Sequence, residues 1–564
     1  MNDILQFKAV NCKDCYKCVR YCPVKSIAVR DHHAQIIQDA CVLCGNCIVV
    51  CPQKAKADIS SVQDVCACIA KGEQVYVSVA PSFAAYFSIA SLAPLRSALQ
   101  TLGFYDAQET AQGAFLVKSA YEKLIREQPG KTWISSCCST LNLYIQRHKP
   151  EALPFLAPVV SPMQAHARWL KAQHPGARVV FIGPCISKKA ECQQDDSAVD
   201  FALTFGELQA WLTQCGLTIQ PQPREEQAAY RSRLFPIGGG ILRTLSKQQG
   251  VGYLAVDGFE NCERALEDVV AGRLPGYFLE MNTCDGGCIG GQSFRRKQIS
   301  SVLARVAVER TAPQDDADID FALPVDAVPL TTHFSPAFPL SAPPSQAQVA
   351  RVLEKMGKHT PEDEINCGMC GYASCREKAA AVLAGKAEIS MCLPYMKGRA
   401  ESFSDRIVNI TPNAIVAVDA DLTIQQINQA ACEIFHISPA DVMHQPVSRI
   451  MDEFDFVSVI ADRVAQRKKL SYLAEYNVYL EQVFLYDAGN GTIICIMHNI
   501  TQKKQRQNQL QQAKVHAARM ADEISEKQQR IVHEIAQLLG ETAAETKLAI
   551  ADLKEAILMD EQEG

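Results

Sequence analysis

The chain has 564 residues, 48% of them hydrophobic and 21% charged, with a formal net charge of −6. That length suits three to five compact domains at roughly 100–150 residues each, and the mild acidity offers no basic face for a nucleic-acid partner. No stretch approaches the ~18 consecutive apolar residues of a spanning helix, and MNDILQFKAVNCKDC lacks the charged and apolar regions of a signal, so a cytoplasmic protein with no membrane partner is expected.

Residues 1–58 are dense in cysteine and hold too little core to fold without metal clips. From about residue 75, strand-like runs (VYVSVAPS, TWISS, ARVVFIGP) alternate with helical stretches, which predicts an α/β domain over 66–310. Residues 311–348 are rich in Pro and Asp and predict a stiff linker without a core of its own. A short helical, cysteine-bearing unit follows over 349–402. Over 403–502, AIVAVDADLTIQQIN predicts two strands around an Asp-Ala-Asp turn, AACEIFHIS a helix, and YNVYLEQVFLYDAGNGTIICIMHNIT a hairpin bent at Gly489-Asn490-Gly491. The remainder, 503–564, is polar and helix-forming. Ile524, Ile531 and Leu538 recur every seven residues, and Ile550 and Ile557 repeat the spacing beyond Gly540. This predicts a coiled coil joining a homodimer, against the plainer alternative of a solvated amphipathic helix. The fold class is multidomain, α/β and α+β.

The 24 cysteines are the outlier. In a long chain without an export signal, C-x-x-C groups point to metal ligands and away from disulfides. Cys12, Cys15, Cys18 and Cys22 form C-x2-C-x2-C-x3-C-P, and Cys41, Cys44, Cys47 and Cys51 repeat it. Each run supplies three thiolates to one [4Fe-4S] cubane and the fourth to the other: Cys12, Cys15, Cys18 and Cys51 on one, Cys41, Cys44, Cys47 and Cys22 on its neighbour. A pair of zinc sites would not call for this interlocked spacing. Two such clusters conduct electrons in a ferredoxin-like unit.

Three further cysteine motifs lie far apart: ISSCCST with Cys137 and Cys138, GPCISKKAE with Cys185, and EMNTCDGGCIGGQ with Cys284 and Cys288. Each falls where a strand gives way to a loop or helix, as a site at strand ends should. Together with VAPS at 79–82, SPMQ at 161–164 and FPIGGGILR at 235–243, they resemble the signature segments of the two-lobed [FeFe]-hydrogenase catalytic domain. The resemblance implies that Cys138, Cys185, Cys284 and Cys288 hold a [4Fe-4S] cubane. Cys288 would also bridge it to a diiron subsite carrying CO, cyanide and a bridging dithiolate. It implies further that Lys188 and Ser82 donate hydrogen bonds to the cyanides and that Cys137 passes protons as a thiol. Pro81, Pro162, Gly238, Gly239 and Gly287 would line or closely approach the cofactor, glycine allowing the backbone in where a side chain would clash.

The sequence departs from the fast enzymes of that family. Ser139 stands where a proline follows the cysteine pair, and Gly183 and Asn282 stand where methionines are expected. The paired glutamates of the usual proton relay, expected near 117–122, do not align; only Glu122 is nearby. Losing two thioethers should open and polarise the pocket, and losing the relay should slow proton delivery. Low turnover or altered redox poise is therefore expected, as in the sensory members of the family.

Cys367, Cys370, Cys375 and Cys392 form C-x2-C-x4-C-x16-C, which resembles a small helical [4Fe-4S] domain, with zinc as the alternative. Residues 403–502 resemble a PAS domain. His436 is expected to be structural and not a haem ligand, and His533 a helix residue and not a phospho-acceptor. The leading expectation is an H2 sensor with four [4Fe-4S] clusters and a signalling partner such as a kinase or phosphatase. Its rivals are a metabolic hydrogenase exchanging electrons with ferredoxin and a non-catalytic cluster scaffold.

Overall fold

The computed structural model describes residues 4–8, 11–31, 33–220, 231–313, 328–337, 343–462, 466–487 and 489–560. It divides into two compact units, Met1–Met396 and Lys397–Gly564.

In the first unit, Leu5–Phe7 pairs antiparallel with Lys56–Asp58 and Ile27–Arg30 with His33–Ile36. Between these hairpin-like pairs lie two very short helices, Lys17–Arg20 and Asn46–Val50, each opening on a cysteine run. Little apolar bulk is available here, and the cysteines themselves form part of the core.

The α/β part has two separate parallel sheets. One runs in the order Asp106–Glu109, Val75–Val79, Arg178–Gly183, Phe201–Thr204. The other runs Gly252–Asp257, Tyr277–Asn282, Trp133–Ile134. The first central strand, VYVSV, is buried at every position, as expected of a parallel strand covered on both faces. Four strands, two from each sheet, end at Val79, Ile134, Gly183 and Asn282, and the loops that follow them converge on one cavity.

Part of the expected linker is not a free connector. Val328 and Leu330 are buried in the α/β core, the Val160 amide donates to the Leu330 carbonyl at 2.9 Å, and Thr331 bridges Val159. Alternating apolar residues let this segment add an edge to an existing structure without a core of its own. Residues 314–327 and 338–342 of the expected linker lie outside the described residues. Helices Gln346–Lys355 and Cys375–Leu383 then frame the third cysteine motif, and Leu393–Ile410 begins directly after Cys392.

The second unit holds a five-stranded antiparallel sheet in the order Ile424–Ile427, Ala414–Val418, Thr492–Asn499, Val478–Asp487, Gln466–Leu473. The Asp419 turn and the hairpin at Gly491 fall where the sequence places them; the edge strand Gln466–Leu473 is an addition. His436 closes the helix Gln429–Phe435 in a left-handed conformation, φ 53°. Thr501–Asp560 is one helix of 60 residues that passes through Gly540 without a break. Its described side chains are almost all exposed, Ile524, Ile531, Leu538 and Ile550 included, while the side chain of Ile557 lies outside the described residues. No helix among the described residues is long and apolar enough to cross a membrane.

Candidate active site

The converging loops enclose a cavity of about 90 Å³. Its walls include Pro81, Ser82, Cys137, Pro162, Cys185, Lys188, Asn282 and Cys288, drawn from five segments of the sequence. Cys138 and Cys284 lie beside it, and burial above all, with the neighbouring sulfurs after it, raises the pKa of Cys185, Cys284 and Cys288. Iron must therefore displace protons from these three neutral thiols as it binds.

These residues suit a cubane joined to a second metal group. Ser82 is fully buried, and its hydroxyl has no hydrogen-bond partner although it faces the cavity. A buried hydroxyl left unpaired is costly unless a ligand completes it. Lys188 approaches the same space. Burial works against its charge, but Glu191, 2.7 Å away, and the nearby thiols outweigh that and hold the ammonium above its ordinary range. Its Nζ also reaches the Cys137 carbonyl at 3.3 Å. Tetrahedral zinc would hold its sulfurs about 3.8 Å apart. Among the described residues no three of these cysteines gather within 4.8 Å, and the one such group is Cys12 with Asp14 and His33.

Gly238, Gly239 and Gly287 are not in the cavity wall. The Gly238 amide donates to the Gly286 carbonyl at 2.9 Å, and a side chain on Gly287 (φ 85°) would meet the Pro236 carbonyl at 2.7 Å. Close approach here is loop against loop. Below them Glu280, wholly buried, accepts the Gly239 and Leu242 amides at 3.0 Å and the Asn282 side chain at 3.3 Å. Desolvation dominates these bonds and pushes its carboxyl up to about 7.

One expectation needs correction. The pocket is not simply opened at Gly183, because a side chain there would meet the Phe181 ring at 2.5 Å; phenylalanine fills the room left by the missing thioether. Burial pushes the Cys137 thiol up to about 12, against the Tyr121 hydrogen bond and the Lys188 charge, so it rests protonated. Glu122 accepts the Ser246 amide at 2.7 Å, away from the cavity.

Apart from Ser139, the polar groups around Cys137 were not legible from motif spacing. Tyr121 reaches its thiol at 3.3 Å, and Ser139 and Ser161 both donate to Glu191. A proline, the residue the resemblance leads one to expect at 139, could not make the bond to Glu191.

The other cysteines are organised toward the same place. Amides of Ser26, Leu43 and Ala55 donate to Cys22, Cys41 and Cys51, and Lys56 donates to Cys18 at 3.3 Å. Such bonds stabilise cluster thiolates. Cys44 lies near enough to raise Cys284, which brings the second ferredoxin-like run to the cubane position. On its other side, buried Tyr372 sits between Cys22 and Cys370, and Lys25 donates to the Gly371 carbonyl at 3.0 Å.

Residues 73–292 match the family described as the iron only hydrogenase large subunit, C-terminal domain. The chain carries an iron-only hydrogenase domain. Residues 11–55 match a 4Fe-4S dicluster domain, 363–394 an Fe-S cluster family, and 402–470 the PAS fold. Over 260 residues the chain is 25% identical to the periplasmic [Fe] hydrogenase large subunit of Nitratidesulfovibrio vulgaris, covering 35% of this chain and 61% of that protein. Over 158 residues it is 32% identical to the cytosolic Fe-S cluster assembly factor NAR1 of Eremothecium gossypii, covering 25% and 35%. Among solved structures, the [FeFe]-hydrogenase HydA1 from Chlamydomonas reinhardtii overlays with a TM-score of 0.39 at 18% identity, over 50% of this chain and 100% of that one. The chain thus spans less than two thirds of either curated relative's length. Along this chain the iron-only hydrogenase match is followed by the PAS match.

Proposed function

We propose that the chain is an H2-responsive [FeFe]-hydrogenase that reports redox state to its PAS-containing end. The observation that carries this is the unpaired Ser82 hydroxyl facing a cavity that Cys137, Lys188 and Cys288 also line. A scaffold with the cubane alone, suggested by the likeness to the assembly factor, leaves that hydroxyl without a task.

Cys138, Cys185, Cys284 and Cys288 would hold the cubane, with Cys288 shared with the diiron subsite. When bound, that subsite with its CO, cyanide and dithiolate ligands supplies reversible H2 cleavage. Ser82 and Lys188 orient it as donors. Pro81, Pro162, Phe181 and Phe235 keep the space dry, so hydrogen bonds there are strong. Cys137 Sγ holds a proton and exchanges it across the cavity wall.

Three further [4Fe-4S] clusters complete the electron path. The juxtaposition of Cys284 with Cys44, and of Cys22 with Tyr372 and Cys370, supports an order from the cavity through the second ferredoxin-like cluster to the Cys367–Cys392 cluster. Cys392 is followed at once by the helix Leu393–Ile410, which leads into the PAS strand Ala414–Val418. A change of cluster charge at Cys392 thus acts on the first residue of that helix. The exposed apolar positions of Thr501–Asp560 support pairing with a second copy, and a ferredoxin-type carrier and a kinase or phosphatase are the partners this arrangement suits.

Infrared spectroscopy with an H2 assay, on protein matured with the diiron cofactor, tests the assignment. CO and cyanide bands with slow H2-dependent dye reduction are expected. Their absence after maturation would leave the scaffold, and turnover matching fast ferredoxin-linked enzymes would favour the metabolic role.

A further inference from the structure

The Cys137 thiol needs a route to solvent, and Glu122 does not supply one. From Cys137 Sγ the distance to Tyr121 Oη is 3.3 Å, and from there to Ser136 Oγ 3.0 Å. Tyr121 is fully buried on the helix Ala111–Glu127, its ring packed on Phe278 with centroids 5.1 Å apart. The Ser136 amide donates to the same phenol oxygen at 2.9 Å, which fixes the oxygen between the two side chains.

Ser136 is also in the wall of a second cavity, of about 40 Å³, with Ser139, Asn142, Ser161, Glu191 and Asp196. A water needs about 10–15 Å³ and two to four polar partners, so about two or three waters fit. Asn142 Oδ1 is buried in this wall with no partner, as a site completed by water would leave it. The far end reaches Asp196, whose side chain is 64% exposed and lies 3.5 Å from Arg168.

We propose that Tyr121 and Ser136 relay protons between the Cys137 thiol and this second cavity, which delivers them to solvent at Asp196. The relay rests on the hydrogenase assignment. As Cys137 Sγ gives its proton to Tyr121 Oη, the phenol gives its own to Ser136 Oγ. Ser136, which otherwise donates to the Val159 carbonyl at 2.5 Å, gives its own hydrogen to a cavity water, and the water passes a proton to the Asp196 carboxylate, which releases it to solvent. Each hydrogen moves one place, Tyr121 and Ser136 end neutral, and Cys137 is reprotonated from the cavity of the cofactor. The electrons of the same reaction leave separately through the clusters. Glu191, held by Ser139, Ser161 and Lys188, is the fixed anion that draws protons into the water-holding space. Tyr121 and Ser136 are thus relay residues, distinct from the groups that face the cofactor.

The test compares the full matured chain with Tyr121→Phe, Ser136→Ala and Asp196→Asn, by H2-driven dye reduction and by the S–H stretching band of Cys137, assigned as the band lost in Cys137→Ala. Tyr121→Phe and Ser136→Ala should each slow turnover roughly tenfold to a hundredfold with CO and cyanide bands retained. Tyr121→Phe should also move the S–H band to higher frequency, before and after metal loading. Asp196→Asn, at an exposed site where folding is not at risk, should slow turnover several-fold, most at high pH. Turnover within about twofold of wild type in all three variants, or an S–H band unmoved in Tyr121→Phe, would overturn the relay. Wild-type protein without CO and cyanide bands would overturn the hydrogenase assignment instead, and the S–H band would still report on the Cys137–Tyr121 pair.

Discussion

The two compact units treat buried polar groups in opposite ways. In the PAS unit, Asn428 is fully buried and spends every hydrogen bond it has: Nδ2 donates to the Val408 and Asn413 carbonyls, and Oδ1 accepts from the Ile415 and Ala431 amides, all within 3.0 Å. Gln482 and Asp455 are likewise bonded, to Ser471 and Lys469. Among the described residues no buried side-chain atom of that unit is left unpaired. The hydrogenase unit leaves several, including Ser82, Asn142 and His166. Burying a polar atom unpaired costs about 1–3 kcal/mol, so a fold that keeps one at a cavity is holding a place for something the chain itself does not contain.

The largest effect should come where the missing group is held by the chain most firmly. Cys288→Ala removes the thiolate that we propose the cubane and the diiron subsite share. H2 turnover should vanish and the CO and cyanide bands with it. Iron should fall by no more than about six atoms per chain, the cubane and the diiron pair, because the other twelve proposed ligands are untouched. Loss of all iron would mean that the clusters assemble as one cooperative core, and the contrast between the units would then be one of stability instead of ligand binding.

Glu280 is among the satisfied polar groups of the hydrogenase unit, a buried carboxyl group bonded on both oxygens. Its folded pKa is about 7 against an ordinary 4.5, so the native state holds the proton more tightly. Its contribution to stability is therefore fully present below about 4.5 and lost as pH rises through about 7, a change of up to about 3 kcal/mol. His166, buried and pushed down to about 3, runs the other way between about 3 and 6.5. The two overlap, so the quantity to measure is the difference in urea midpoint between wild type and Glu280→Gln, in which His166 cancels. That difference should shrink from pH 4.5 to pH 7; a constant difference would place the pH dependence elsewhere.

In the PAS unit the expected effect is smaller and purely structural. Asn428→Ala removes an N-cap and unpairs four backbone groups at once. It should cost about 2 kcal/mol, read as roughly thirtyfold faster amide exchange in Ala414–Val418, with H2 turnover unchanged. An effect on turnover would mean that PAS stability feeds back on the cavity.

How much of this was legible in the sequence follows the same division. The cysteine runs could be read because each supplies three ligands from one local turn. The strand ends at Ser82, Cys137, Cys185 and Cys284 could be read because parallel buried strands are continuous apolar runs. Tyr121, Ser136 and Glu191 could not, since their meaning depends on the helix Ala111–Glu127 crossing the end of Trp133–Ile134, a contact no spacing encodes. Val328 and Leu330 were hidden by the prolines around them. The strand Gln466–Leu473 was hidden because it lies at the sheet edge, carries three consecutive basic residues and leaves most of its positions exposed, which resembles a solvated segment.

The smallest expected effect is the sharpest test of the comparison. Ser82→Ala deletes a hydroxyl that makes no bond in the protein, so nothing is unpaired by its loss and the alanine methyl keeps most of the packing. Stability should change by less than about 0.5 kcal/mol, or rise slightly, because an unsatisfied polar atom has been removed. Amide exchange in Val75–Val79 should stay as in wild type. If the hydroxyl waits for a cyanide, the same substitution should shift one cyanide band in the matured protein and leave the other in place. A destabilised Ser82→Ala with unshifted bands would make that hydroxyl part of the fold after all, and the cavity it faces would lose its strongest mark as a ligand site.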